Sequence, residues 1–503
     1  MKAAGSEQAV DDGVAPRDDV RGTGGPDRRW AALYVLCGGM LMIVLDVTVV
    51  NVALPSIQDQ LHFSSAALAW VVNAYLIAFG GLLLLAGRVG DLIGRRRVFL
   101  AGVGLFTVSS LACGLAGSQA LLVIARFVQG VGGAMTSAVI LGMIVTMFPR
   151  PREQARAIGV YAFVASAGGS VGLLAGGVIT QSIDWHWIFF INVPIGLATA
   201  VLAGRMIEDD RGIGLQRGAD APGAVLITAA LMAGVYTIVG PAASHGWGDG
   251  RTLGLGALSL VLLAGFLLRE SRAADPLVPL RIFRQRGVAA ANSIQVLSVA
   301  GMFGMFFLGA LYLRRVLGYD ALQIGLSFLP VTFAMGLLSI RYSERVVMRF
   351  GARNVLIAGL PLIGAGLAWF ARAPVHASYA PDVMPAMALL GIGAGLSFPA
   401  LMTVAMTGAT REDAGLASGL VNTTAQVGGA LGLAVLATLS QSRTDALTHR
   451  GIAEASALTS GYHLAFWIAV ALVGGALALA LATLRGGTVA QSVPEESLLV
   501  QEL

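Results

Sequence analysis

Charge is what this 503-residue sequence has least of: 12% of its residues are Asp, Glu, Lys or Arg, against 56% hydrophobic, and the mean hydropathy is +0.77. Soluble domains carry charge on about a quarter of their residues. A water-covered globule is therefore excluded, and the chain is read as an integral membrane protein. Lysine is almost missing, with Lys2 the single one among 33 basic residues. The arginines stand in short clusters between apolar runs, which excludes a nucleic-acid-binding face despite a pI of about 9.5. The only cysteines, Cys37 and Cys113, lie inside apolar runs and read as small hydrophobes rather than a disulfide or a metal site. No GxxxxGK[ST] phosphate loop is present, so ATP is not the direct energy source. His62, His186, His245, His376, His449 and His463 fall in expected outer loops or at span ends, and no cluster has metal-ligand spacing. A nucleophile paired with a base is also lacking, so no enzyme is expected, and no cofactor or metal.

What is there in abundance is apolar runs long enough to span a bilayer, which takes about 20 residues. Fourteen windows qualify, the fifth starting near Ala155 and the tenth near Leu322. With the N-terminus in the cytoplasm, 26 of the 33 basic residues fall on the inside, 6 outside, and one, Arg126, within a span. Positive charge collects on the cytoplasmic side of membrane proteins. Both termini are therefore expected there, in a cytoplasmic cell membrane. Residues 1–29 have no apolar core, so they read as a disordered tail rather than a signal peptide, and 486–503 as a second tail.

The chain repeats itself at an offset near 260. "GRRRVFLAG" from Gly94 lies over "GARNVLIAG" from Gly351, "GVGGAM" from Gly130 over "GIGAGL" from Gly391, and "GGSVGLL" from Gly168 over "GGALGLA" from Gly428. The expected fold is thus all-α, with a six-helix half at 30–207, a linker with two inserted helices at 208–286 and a second six-helix half at 287–485. The inserted helices, with almost nothing polar beyond Tyr236 and Thr237, read as peripheral spacers. Related halves facing one cavity describe a carrier that rocks one half on the other.

Within the spans the polar exceptions define the candidate site. "MLMIVLDVTVVNVALP", residues 40–55, holds Asp46 in otherwise pure hydrocarbon, and a charged Asp at that depth costs about 2.5–3.5 kcal/mol. It is expected to be protonated, to face a water-filled cavity, or both; the alternative is a fixed ion pair, with Arg126 the obvious partner. In "RFVQGVGGA" Arg126, Gln129, Gly130 and Gly133 share a helical face, so guanidinium and amide are expected to line the cavity. Arg126 could hold the acid ionised in one conformation and release it in another, or anchor an anionic substrate. Asp46 maps near Phe303 and Arg126 near Met387, so only the first half carries buried charge. Asn73, Tyr75, Asn422 and Gln426 are further cavity candidates, the last two on a stripe with Gly415, Gly419 and Gly429. Gly168, Gly172 and Gly176, with Gly177 beside them, read as a close helix contact.

"GRVGDLIGRRRV", with Gly87, Asp91, Gly94, Arg95 and Arg96, resembles the signature loop of the major facilitator superfamily. "LDVTVVNVALP", "WVVNAYL", "RFVQGVGG" and "WHWIFFINVPIG" resemble its 14-helix drug:proton antiporter branch. Leu92 replaces a usual basic residue, and Leu173 replaces the proline usual after the second glycine of the span 5 motif. The resemblance implies proton-driven export of an amphipathic drug or antibiotic by a monomer in the lipid bilayer, conferring resistance, with the proton as coupling ion. A symporter importing a small organic solute is the alternative. It further implies that Asp91 and Arg95–Arg97 latch the two halves on the cytoplasmic side. Asp91, taken as the start of span 3, suits a helix N-terminus.

Overall fold

The computed structural model describes residues 26–484 apart from 211, 213, 215–219, 274 and 408–413. A backbone surrounded by lipid must bond to itself, and the described residues accordingly form helices and no strand. The first half comprises α1 (Pro26–Leu61), α2 (Ser65–Ile93), α3 (Arg95–Gly114), α4 (Gln119–Met147), α5 (Pro151–Ser182), α6 (Trp187–Phe190) and α7 (Asn192–Met206). Then come α8 (Ala221–Thr237), the three-residue α9 (Ala243–His245) and α10 (Gly250–Arg272). The second half runs through α11 (Arg286–Arg315), α12 (Ala321–Ser327), α13 (Leu329–Leu337), α14 (Ser343–Phe350), α15 (Ala352–Phe370), α16 (Met384–Thr407), α17 (Ala414–Thr448) and α18 (Glu454–Thr483). Short polar residues open several helices: the Ser64 and Ser118 hydroxyls accept from Ala67 N and Leu121 N, and Asp320 forms a capping box with Gln323.

Among the described residues, twelve helical stretches are long and apolar enough to cross a membrane. Two of the fourteen expected windows are not among them. That at Ala155 falls on α5, and that at Leu322 on a path broken at Phe328, where Pro330 opens α13 without an N–H to donate. The first helix begins at Pro26, inside the expected tail; residues 1–25 and 486–503 lie outside the described residues.

The repeat is visible in backbone geometry. Gly94 (φ 105°) opens α3 and Gly351 (φ 82°) opens α15, both in the left-handed region that favours glycine. A Cβ on Gly132 would lie 2.6 Å from Phe106 N, and one on Gly393 2.7 Å from Ile363 N, so α4 approaches α3 as α16 approaches α15. The halves meet along two flanks. On one, α2 packs on α17, Gly80 giving room to Gln426 and Gly419 to Leu84. On the other, Gly177 of α5 lies against Ala321 and Leu322, Gly325 of α12 against the Leu173 carbonyl, and Ser170 Oγ lies 3.1 Å from Thr332 Oγ1.

The inserted helices differ from the spacer expectation in one respect. Along α10 only Thr252, Phe266 and Glu270 are buried. Helix α8, by contrast, lies across the α2–α17 seam: Thr228 fills the space over Gly81, and Ala224 shares an apolar cluster with Ala417 and Leu420. Small residues on α2 and α17 leave a groove deep enough to seat it.

Candidate functional site

Asp46 falls seven residues after Gly39, whose Cβ position abuts Phe99 of α3 and Thr136 of α4. Two helical turns leave these positions on one face, so Asp46 points into the first half. There Arg126 Nη1 lies 2.5 Å from Asp46 Oδ2, and each residue is only 1% exposed. Gln129 Nε2 donates to Asp46 Oδ1 at 2.8 Å, and Asn192 Nδ2 reaches the same oxygen at 3.3 Å. Arg126 is fixed in turn by Gln129 Oε1 at 2.7 Å and the Val71 carbonyl at 2.9 Å, with the Tyr75 ring 4.5 Å from its Cζ. Ser110 Oγ accepts from both Gln129 Nε2 and Asn192 Nδ2 and donates to the Phe189 carbonyl. Cys113 Sγ sits 3.6 Å from Gln129 Oε1. Gly130 and Gly133 admit Tyr75: a Cβ at 133 would stand 2.9 Å from its hydroxyl.

Three donors converge on one carboxylate, two of them neutral amides, so the ion pair is both desolvated and hydrogen-bonded. Breaking such a pair by removing one partner costs about 3–5 kcal/mol, mostly because the other charge is stranded. Arg126 and Gln129 therefore depart from the cavity-lining expectation. Their shared face is turned to α1, α2 and α3, where the ion pair holds it away from solvent.

A cavity of about 790 Å³ lies between the halves and runs to the arginine-rich end of the molecule. Tyr75, Asn422 and Gln426 line it, with Val44, Val47 and Phe79 among its apolar wall, as do Gly87, Asp91 and Arg95 at its mouth. Asn73 does not: it is fully buried, and both polar atoms of its side chain lack a hydrogen-bond partner. Tyr75 Oη and Gln426 Oε1 also lack partners.

The loop residues correct two expectations. Asp91 ends α2 rather than starting α3, and Arg95 Nη2 pairs with it at 2.9 Å. The N-terminus of α3 is capped instead by Asp210, whose carboxylate accepts from Arg95 N at 2.7 Å and Arg96 N at 3.1 Å. Arg95 also donates to the Gly142 carbonyl and Thr146, and Arg96 to the Gly204 carbonyl. Arg96 and Arg97 face Asp209 at 3.6 and 3.3 Å. Each of these partners lies in the first half or, for Asp209 and Asp210, in the linker that directly follows it, so these bonds latch nothing between the two halves and leave the cavity open there. At the opposite end Asp59 of α1 meets Arg315 of α11 at 2.6 Å.

Gly168, Gly172 and Gly176 press α5 onto Leu41, Val44, Thr48 and Val49 of α1, whereas Gly177 turns to α12. Ser110, Asn192, Asp59, Arg315 and Asp210 were not singled out in the sequence. Asn192 stands within "WHWIFFINVPIG", a stretch noted only for resemblance. An amide at membrane depth, the same signal that singled out Gln129, identifies it.

Two related helical halves around a central cavity, one of them carrying a desolvated charge pair, define a multi-pass membrane carrier. The sequence profile described as "Major Facilitator Superfamily" matches residues 36–433. The chain belongs to that superfamily. It is 38% identical over 459 residues to a puromycin resistance protein of Streptomyces alboniger, covering 90% of each chain. It is 39% identical to a cephamycin export protein of Amycolatopsis lactamdurans (82% of this chain, 85% of the relative). It is 37% identical to a tetracenomycin C resistance and export protein of Streptomyces glaucescens (86% and 79%). The fold is similar to that of a bacterial homolog of the human lysosomal transporter Spinster, with a TM-score of 0.64 and 17% identity over 92% of this chain and 98% of that one.

Proposed function

We propose that this transporter exports an amphipathic antibiotic or related drug across the cell membrane in exchange for protons, with Asp46 as the proton-binding group. The observation that carries the reading is the Asp46–Arg126 pair, one carboxylate and one guanidinium at membrane depth, with no buried charge in the second half among the described residues. A carboxylate that trades an arginine for a proton changes charge once per cycle. The cavity wall of Val44, Val47, Phe79 and Tyr75 with the amides Asn422 and Gln426 suits an amphipathic molecule that is neutral or singly charged. The relatives' names, resistance and export proteins for puromycin, cephamycin and tetracenomycin C, support efflux over uptake.

The cycle runs from the cavity open at the arginine-rich end, which the charge distribution assigns to the cytoplasm. Drug binds, Asp46 is deprotonated and paired with Arg126, and the halves rock about the α2–α17 and α5–α12 flanks. An external proton then neutralises Asp46 and releases its hold on Arg126. One proton crossing 100 mV supplies about 2.3 kcal/mol, enough for roughly a fifty-fold drug gradient.

Inverted membrane vesicles with an imposed pH gradient test this. Candidate antibiotics should discharge the gradient with the wild-type protein and fail to do so with Asp46→Asn. Discharge that persists in the variant rules Asp46 out as the coupling group.

A further inference from the structure

The amide of Asn192 is satisfied on one side only. Its Nδ2 bonds Asp46 Oδ1 and Ser110 Oγ, while its Oδ1 is buried with no hydrogen-bond partner. The residue is 0% exposed, so bulk solvent does not reach it, and a buried acceptor left unpaired costs about 1–3 kcal/mol. Every group bonded to Asp46 is a donor: Arg126, Gln129 and Asn192. Such a shell fits a carboxylate and offers nothing to a carboxylic acid, whose hydroxyl needs an acceptor. Gln129 Oε1 is already taken by Arg126 Nη1 and faces Cys113 Sγ. The acceptor left over is Asn192 Oδ1.

We propose that Asn192 is a positioning residue that reports the protonation state of Asp46 by turning over its side-chain amide. While Asp46 is ionised, Nδ2 donates to it. When a proton from water forms an O–H bond on Asp46 Oδ1, a half-turn about the last side-chain bond exchanges the near-isosteric NH₂ and oxygen, and Asn192 Oδ1 accepts the new hydroxyl. Ser110, whose hydroxyl now points to the Phe189 carbonyl, can rotate to serve the same oxygen. The neutral acid is thereby held without Arg126.

The inference rests on the reading of Asp46 as the proton site. The other titratable groups facing Asp46 are Arg126 of α4, Tyr75 of α2 and Cys113 of α3. Of the elements packed on α1, α5 brings Tyr161, whose hydroxyl lies on Met40, and near its start Glu153 and Arg156, the latter over Trp30, while α6 and α12 bring none and α7 and α11 none outside their end turns. Of these only Tyr75 Oη is an unpartnered oxygen able to accept, and it makes no hydrogen bond to Asp46.

Infrared difference spectra of the full-length protein in lipid nanodiscs, recorded between high and low pH, test the proposal. A carboxylic acid band that vanishes in Asp46→Asn should appear together with a side-chain amide shift. That amide shift should be absent from Asp46→Asn, Asn192→Leu and Asn192→Ser alike. Ser can both donate and accept, so Asn192→Ser should retain proton-coupled transport within about twofold. Asn192→Leu should lose about tenfold, the effect of one hydrogen bond of ordinary strength. An Asp46-dependent acid band with no Asn192-dependent amide shift overturns the proposal and leaves the proton site standing. Equal transport by the Leu and Ser variants also overturns it. Absence of any Asp46-dependent acid band removes the proton site first, and the amide switch with it.

Discussion

Arg315 Nη2 donates to Asp59 Oδ1 at 2.6 Å, joining the ends of α11 and α1 across 256 positions of sequence. At the other end the Arg95 side chain bonds only within its own half, so the ion pair and the open mouth lie at opposite ends. Both partners are partly exposed, which limits such a pair to about 1 kcal/mol. Asp59→Asn or Arg315→Gln should therefore shift the closed-to-open population at that end by up to about fivefold. Spin-label distances between the ends of α1 and α11 measure the shift, and unchanged distributions in both variants would show that helix packing alone closes this end.

The Asp46–Arg126 pair should be visible in stability as well as in transport. Asp46→Asn and Arg126→Gln each strand a partner and should each cost about 3–5 kcal/mol. The double variant should cost less than the sum, with coupling of about 1–3 kcal/mol. Thermal unfolding in detergent gives the cycle; strict additivity contradicts the pair. Transport should be lost in all three.

The α5–α12 flank depends on glycine at the contact. A Cβ on Gly325 would stand 2.5 Å from the Leu173 carbonyl, and one on Gly177 2.9 Å from that of Ala321. Gly325→Ala should oppose closure by about 1–3 kcal/mol, the usual cost of overpacking, and slow transport roughly tenfold or more. Gly474→Ala, where a Cβ meets nothing within 4 Å, is the control and should be silent. Equal transport by the two variants would remove this flank from the rocking movement.

Recognition and coupling should separate. Gln426 has a buried Oε1 without a partner, and Asn422 stands one turn earlier on α17. Gln426→Ala and Asn422→Ala should raise the apparent KM for drugs with polar substituents by about tenfold each, one hydrogen bond's worth. Protons moved per drug molecule should stay constant. A changed ratio would place these amides in the proton path.

The repeat, the helical class and the two buried charges were legible because each leaves a local mark: glycines recurring at a fixed offset, apolar runs, and single charges where charge is expensive; that Asp46 and Arg126 meet was open, because two helices can present charges at different depths. Which way Gln129 faces was not legible. Helical periodicity places residues on a common face but leaves the face's direction to tertiary packing, and here Asp46 drew it inward. Asp91 was misplaced by a few residues because the turn at Gly94 is too short to register as a break in hydropathy. Asp210, the actual cap, lies 115 residues from Arg95, and Ser110 is one hydroxyl among many in α3. The seat of α8 on the α2–α17 seam was hidden for another reason: small apolar residues that contact a partner look the same in sequence as those that contact lipid.

That seat makes the two sides of the cavity unequal to a molecule dissolved in the bilayer. With Thr228 over Gly81 and Ala224 beside Ala417 and Leu420, helix α8 stands outside the α2–α17 seam like a shutter. The α5–α12 seam is held by its own glycines and, among the described residues, has no inserted helix over it. A lipid-soluble drug moving sideways thus meets one shuttered doorway and one closed only by the transporter's own halves.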